Sequence, residues 1–366
     1  MLITTSKENL LAGINAVSKA INPKSIIPVY SCIKLEAKDN SLHFTGASLD
    51  MGIQCVIPVQ VSREGTAVIP ARYFGDIVRR LPDTPITLDL SDPGEMTIKY
   101  ERSYFTLKTM AAEDFPTLPL FKGGLDFAVS SENLKRMVRQ TSFAASTDEL
   151  KAVFTGLLWE IEGKTLRMVG TDTHRLSVSQ GEIKIDGDDK KGSFIFPART
   201  AMEIARLIQD EDCQVQVDKN IVYFTFENIK INCRMLEGQF PNYRQVIPSQ
   251  FKTEIQAEAK AVQDSVERIS LFAISSDTSN TIHLEIKDLS MTIHSRSEIG
   301  FGKEELPVEQ TGEDMKISFN AKYLADVFKV LDTEKVNISF SGPLSAGIIK
   351  IPENQDFLYL VLPVRV

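Results

Sequence analysis

The sequence predicts an α+β protein made of three tandem copies of one unit, each with two helices and roughly eight strands, in 366 residues. Three sets of markers predict it. The hairpin-like stretches LEAKDNSLHF from Leu35, WEIEGKTLRM from Trp159 and LEIKDLSMTI from Leu284 put Glu36, Glu160 and Glu285 at equivalent places, in steps of 124 and 125 residues. The stretches IPARYFGDIVRRL, FPARTAMEIARLI and FNAKYLADVFKVL align Arg72, Arg199 and Lys322, in steps of 127 and 123. An early amphipathic segment completes each unit: SKENLLAGINAVSKA, SSENLKRMVRQTS and AKAVQDSVERISL. Self-similarity at one long period is the signature of a repeat architecture.

Each element has a local cause. In the hairpins, residues alternate on either side of a short turn rich in Asp, Asn, Gly and Lys, as two strands around a tight turn require. The helices are expected over 6–20, 72–81, 131–142, 199–207, 259–271 and 322–331. Ser6 and Ser131 are suited to cap the early helices of the first two units. Pro70 and Pro197 stand just before the later ones, where a missing N–H costs little. Turn-rich stretches PLFKGG (119–124) and IPSQFK (247–252) mark the boundaries, giving repeats 1–121, 122–249 and 250–366. The period is about a third of the chain, which leaves no room for a fourth unit.

Composition narrows the setting. No run of eighteen apolar residues exists, and MLITTSKENLL has no basic segment followed by an apolar one, so neither a membrane span nor a secretory signal is expected. Cys32, Cys55, Cys213 and Cys233 are widely spaced without a CxxC pair, as buried reduced thiols of a cytoplasmic protein would be. The net charge is −8, but the six predicted helices sum to +7, leaving −15 elsewhere. A modestly positive surface without an aromatic stacking pattern suits sequence-blind contact with phosphates.

Catalytic chemistry finds little support. Of four histidines, His43, His283 and His294 lie in strand-like alternations. His174 differs, because GTDTHRLSV gathers Asp172, His174 and Arg175 within four residues. An acid–base pair or a metal site could be built on Asp172 and His174, yet no HxH, HExxH or DxxH companion accompanies them. There is no GxSxG, Walker loop or GxGxxG. No cofactor, metal or catalytic residue is expected. Two other readings stay open: a hydrolase using Asp172 and His174, and a monomeric three-repeat binding scaffold. The apolar stretch LYLVLPVRV (358–366) is either a core strand or a binding surface.

At GTDTHRLSV, EGQFPNYRQVIP (237–248) and YLVLPVRV, the chain resembles the bacterial DNA sliding clamp, the β subunit of DNA polymerase III. AAEDFPTLP (111–119) and FNAKYLADV (319–327) extend the likeness along its whole length. The resemblance implies a non-enzymatic processivity factor: two chains closed head-to-tail into a ring, with helices lining the channel and sheets outside. Twelve helices packed about 8–10 Å apart would enclose a hole roughly 25 Å wide, enough for duplex DNA.

Site residues follow from the same resemblance. The dimer contact maps onto Phe105 and Leu107 in SYFTLKT and onto Ala273 and Ile274 in LFAISS. DNA contacts map onto Lys24 in NPKSIIP and onto Arg72 and Arg199. A hydrophobic groove for short peptides of the replicative polymerase, the clamp loader and repair proteins maps onto Phe154, Thr171, His174, Arg175, Leu176, Pro241, Val246, Val361, Leu362, Pro363, Val364 and Arg365. Arg175, His174 and Arg365 would supply its polar edges. Two positions depart from the family pattern: Thr173 stands where Gly is usual, and Gln245 where a second Arg often follows the first. Thr173 would narrow the groove's floor.

Overall fold

The computed structural model describes residues 1–92, 94–187, 189–273 and 280–365, which divide into two compact units. One comprises 1–131 with 207–235; the other comprises 132–206 with 236–365. Six α-helices appear among the described residues: α1 (Lys7–Val17), α2 (Ala71–Arg80), α3 (Ser131–Ser142), α4 (Ala198–Leu207), α5 (Ala259–Ala273) and α6 (Ala321–Phe328). All six lie where the periodicity predicts them. None is long and apolar enough to cross a membrane.

Caps fix several starts. The Ser6 hydroxyl accepts from the Asn9 N–H at 3.2 Å, and Asn320 accepts from Lys322 and Tyr323 at 3.0 and 3.3 Å. Pro70 is the residue before α2. Ser131 is instead the first helical residue of α3, so the cap position falls to Ser130.

In the first unit, a five-stranded sheet runs in the order Gln60–Arg63, Leu2–Thr5, Ile86–Asp89, Glu95–Tyr100, Ser103–Lys108. A second sheet runs Leu125–Val129, Cys213–Asp218, Ile221–Phe226, Ile229–Arg234, Met51–Pro58, Ser41–Ala47, Cys32–Lys38, Gly65–Pro70. It joins the first two repeats through antiparallel pairing of Met51–Cys55 with Ile229–Cys233. Helix α1 lies on this sheet with Gly13 against the Phe44 ring, where an added Cβ would come within 2.5 Å.

In the second unit, nine strands run Lys191–Pro197, Gly156–Glu162, Thr165–Thr171, Arg175–Glu182, Phe357–Val361, Gly347–Lys350, Lys335–Phe340, Thr253–Glu258, Glu309–Gly312. The join here is Arg175–Ser179 against Phe357–Val361. A four-stranded sheet runs Gly300–Pro307, Ser290–Ser297, Thr281–Lys287, Met315–Asn320. Helices α5 and α6 bury Val262, Val266, Ile269, Leu324 and Phe328 with Phe319, Phe340 and Tyr359 in one core.

The predicted hairpins form, with Glu36 opposite His43, Glu160 opposite Arg167 and Glu285 opposite Thr292. Among the described residues each third of the chain contributes nine strands, close to the roughly eight expected, the shortest being Lys184–Ile185. Such brief strands carry too few alternating residues to stand out in the sequence. All four cysteines are buried and free, and burial pushes the Cys55 thiol to about 11 and Cys213 to about 12. Both stay protonated and unreactive near neutrality.

Candidate peptide groove, DNA contacts and interface edges

Within the second unit, the Thr171–Arg175 turn carries several residues of the expected groove. The Thr171 hydroxyl donates to the Arg175 carbonyl at 2.6 Å. The Asp172 carboxylate accepts from the His174 and Arg175 N–H groups, both at 3.0 Å. Thr173 bridges them at φ 81, a left-handed conformation that strains a β-branched residue. That accounts for glycine as the usual residue in the pattern. The Thr173 side chain is exposed and is not part of the lining of the neighbouring cavity.

Arg175 is only 7% exposed, and it is not a free polar edge. Its guanidinium is held by Asp172 at 3.0 Å and by Asp326 of α6 at 2.8 Å. It also lies over the Tyr323 ring at 4.6 Å and the Phe143 ring at 5.6 Å. Burial works against its charge, but the Asp326 bond and the neighbouring carboxylates outweigh it, and its pKa is raised. His174 stacks on Tyr323 with ring centroids 6.2 Å apart. A cavity of about 550 Å³ opens here, lined among others by Phe143, Ser146, Lys151, Lys322 and Asp326, none of them predicted. They come from distant parts of the chain, and no local motif announces them.

The carboxylate of Asp172 thus serves the backbone and Arg175, while the His174 ring serves Tyr323. This is a structural turn, not an acid–base dyad. Among the described residues no three His, Cys, Asp or Glu side chains are placed to hold a metal ion.

The apolar part of the groove divides into support and surface. Leu176 and Val361 are buried, and so is Thr171; they form strands under the groove and offer it little surface. Leu176 packs with Leu158, Tyr243, Ile348 and Leu360. Above them, Val246 is 58% and Leu362 42% exposed, Pro241 and Arg365 are exposed, and Phe154, Pro363 and Val364 are half-buried. Phe154 meets Phe240 edge-on at 6.3 Å. The oily stretch therefore divides at Val361. Phe357–Val361 is a core strand paired on both sides, and 362–365 leave it along the surface. The Leu362 N–H donates to the His174 carbonyl at 2.9 Å, and the Val364 N–H to Ser318 at 2.8 Å.

Among the predicted DNA contacts, Lys24, Arg72 and Arg199 are all exposed. Several other helix bases pair with an acid three or four residues away: Arg79 and Arg80 with Asp76, Arg206 with Glu203, Lys260 with Asp264, Lys329 with Asp326. Arg72, Arg199 and Lys322, equivalent under the repeat, have no ion-pair partner among the described residues.

At the predicted interface, Ser103–Lys108 is an edge strand of its sheet and exposed along most of its length, with Phe105 42% exposed and stacked on Tyr100 at 6.1 Å. Leu107 is half-buried. Ala273 corrects the expectation: at 1% exposure it packs into its own core as the last residue of α5, and it offers a partner no surface. Ile274 lies outside the described residues. A strand that the sequence reading missed, Gly300–Pro307, forms the edge of the four-stranded sheet, with Phe301 48% exposed. The apolar pair around Gly300, Ile299 and Phe301, was the available signal.

Three family models match the chain: the N-terminal domain of the DNA polymerase III beta subunit over 1–119, its central domain over 128–242 and its C-terminal domain over 244–365. The beta sliding clamp of Bacillus subtilis is 30% identical, with 100% of both chains covered. That of Staphylococcus epidermidis is also 30% identical, covering 100% of this chain and 99% of the relative. Among solved structures, the DNA polymerase sliding clamp of Bacillus subtilis has a TM-score of 0.96 at 29% identity, covering 100% of this chain and 99% of that one. A Pseudomonas aeruginosa sliding clamp bound to griselimycin has a TM-score of 0.95 at 28% identity, with 100% of both chains covered. The chain belongs to the DNA polymerase III beta subunit family, the bacterial beta sliding clamps.

Proposed function

We propose that this protein is a cytoplasmic processivity factor without enzymatic activity, whose repeats 1–121, 122–249 and 250–366 form half of a two-chain ring around duplex DNA. The observation that carries the DNA reading is the set of bases Arg72, Arg199 and Lys322, exposed and without ion-pair partners among the described residues, at the same point of three repeats. Unneutralised cations at a regular spacing attract phosphates of any sequence, and a ring that holds by topology needs no tighter grip. Lys24 adds a fourth. Closure pairs the exposed edge strand Ser103–Lys108 of one copy, with Phe105 and Leu107, against the edge Gly300–Pro307 of the other. Uncovered edges of this kind are otherwise an aggregation hazard.

The groove around Val246 and Leu362 docks apolar peptide anchors of the replicative polymerase, the clamp loader and repair proteins, and so tethers them to DNA. The test is retention on a nicked circle after loading. The wild type is expected to stay on the circle and to leave when it is linearised. Replacing Lys24, Arg72 and Arg199 with Glu is expected to weaken retention, without altering the dimer in sedimentation. Retention indifferent to linearisation would overturn the ring.

A further inference from the structure

The three repeats carry a glutamate at the same place in the same hairpin, and its partners differ. Glu36 meets Lys34 of its own strand at 3.6 Å, and Glu285 meets Lys316 of the adjacent strand at 3.0 Å. Glu160 reaches instead to the 240–246 segment. Its Oε2 accepts from the Tyr243 hydroxyl at 2.7 Å, and its two oxygens accept from the Arg244 guanidinium at 3.0 and 2.8 Å. Arg167, opposite it in the hairpin, adds a longer ion pair at 3.8 Å. The Arg244 guanidinium also lies over the Tyr243 ring at 4.9 Å. Burial, and then the Glu160 bond, push the Tyr243 phenol well above its ordinary range, so it donates at any physiological pH.

This clamp holds a short piece of chain that is otherwise anchored by the packing of Phe240, Tyr243 and Ile247 on the core beneath. Tyr243–Val246 is a single 3-10 turn without a side-chain cap, and Tyr243 is its only buried residue. Pro241, before the turn, and Val246, at its end, are exposed. We propose that Glu160 is a positioning residue for the peptide groove: through Tyr243 and Arg244 it fixes the 240–246 segment so that Pro241 and Val246 stand as a preformed wall. The proposal rests on the groove reading above. A wall that must be ordered on binding subtracts that ordering cost from affinity, while a wall already fixed does not. Bidentate charged hydrogen bonds are strong enough to do this.

The experiment measures griselimycin binding to the full-length dimer by calorimetry, with melting temperature and sedimentation recorded for every variant. Glu160→Gln and Tyr243→Phe are each expected to weaken binding, Glu160→Gln by about tenfold, about 1.4 kcal/mol, with dimer and melting temperature unchanged. Val246→Ala is expected to cost less in the Glu160→Gln background than in the wild type, because the wall it trims is already loose. Three results would overturn the assignment: full affinity in Glu160→Gln while Leu362→Glu abolishes binding, loss that appears only together with a lowered melting temperature, or strict additivity with Val246→Ala. Griselimycin binding indifferent to both Leu362→Glu and Val246→Glu would fail the groove reading itself, and is distinguishable from all three.

Discussion

The join between the first and second repeats and the join between the second and third use the same backbone. In one, Met51 stands opposite Cys233 and the Arg234 N–H donates to Asp50 at 2.8 Å. In the other, Arg175 stands opposite Val361 and the Leu362 N–H donates to His174 at 2.9 Å. Even the turns match, with Ser48 accepting from the Met51 N–H at 3.2 Å where Asp172 accepts from that of Arg175 at 3.0 Å. The side chains diverge. Where the second join has Leu176, the first has Gly52, and the Leu118 side chain lies so close that a Cβ would come within 2.4 Å. The second join instead has Arg175 between two carboxylates and an open cavity beside it. Strand pairing repeats easily; the side chains at the seam do not.

Exchanging those residues tests the comparison. Arg175→Met gives the second join the residue type of the first, and leaves Asp172 without its cation and Asp326 with only the longer Lys329 pair at 3.8 Å. A loss of about 3 kcal/mol in urea unfolding is expected, and a loss within error would mean that the ion cluster does not hold the seam. The reverse exchange, Gly52→Leu, forces a side chain against Leu118 and Asn232. It is expected to cost about 2 kcal/mol, partly recovered by adding Leu118→Ala; no recovery would show that Leu118 is not what fills the space. The smallest effect is expected at the turns. Thr173→Gly relieves a positive φ and is expected to stabilise by about 0.5–1 kcal/mol. Leu49→Gly, at the matching place without a positive φ, is expected to destabilise. Melting temperatures moving the same way for both would refute the strain argument.

Periodicity sufficed for the helices and hairpins, because their causes are local: alternation, turn residues, and an Asn or Ser at a helix start. The groove was legible only in part. His174 and Leu362 are close in space yet far apart in sequence, and they were placed by likeness to a family, not by any pattern of their own. Arg175 reads as a polar edge in TDTHRL, because nothing within that stretch reveals Asp326 or Tyr323, some 150 residues on. Ala273 failed for the opposite reason: an alanine fits either a core or a contact, and only the packing of α5 decides. Edge strands such as Gly300–Pro307 are equally silent, since being an edge is a property of the sheet.

The central place of Phe357–Val361 also has a bearing on biosynthesis. Its partner strand Arg175–Glu182 leaves the ribosome long before residue 361 is made, on the order of ten to forty seconds at ordinary elongation rates. During that interval one whole flank of the strand has no mate, in a chain already able to associate with its neighbours. The strand carries serines at 177 and 179, whose hydroxyls reach Gln140 of α3, the latter at 2.7 Å. Every member of that network precedes residue 180, so a helix is at hand to cover one face of the nascent strand while it waits. The first unit faces the same wait, since Met51–Cys55 has no mate on that flank until Ile229–Cys233 is made.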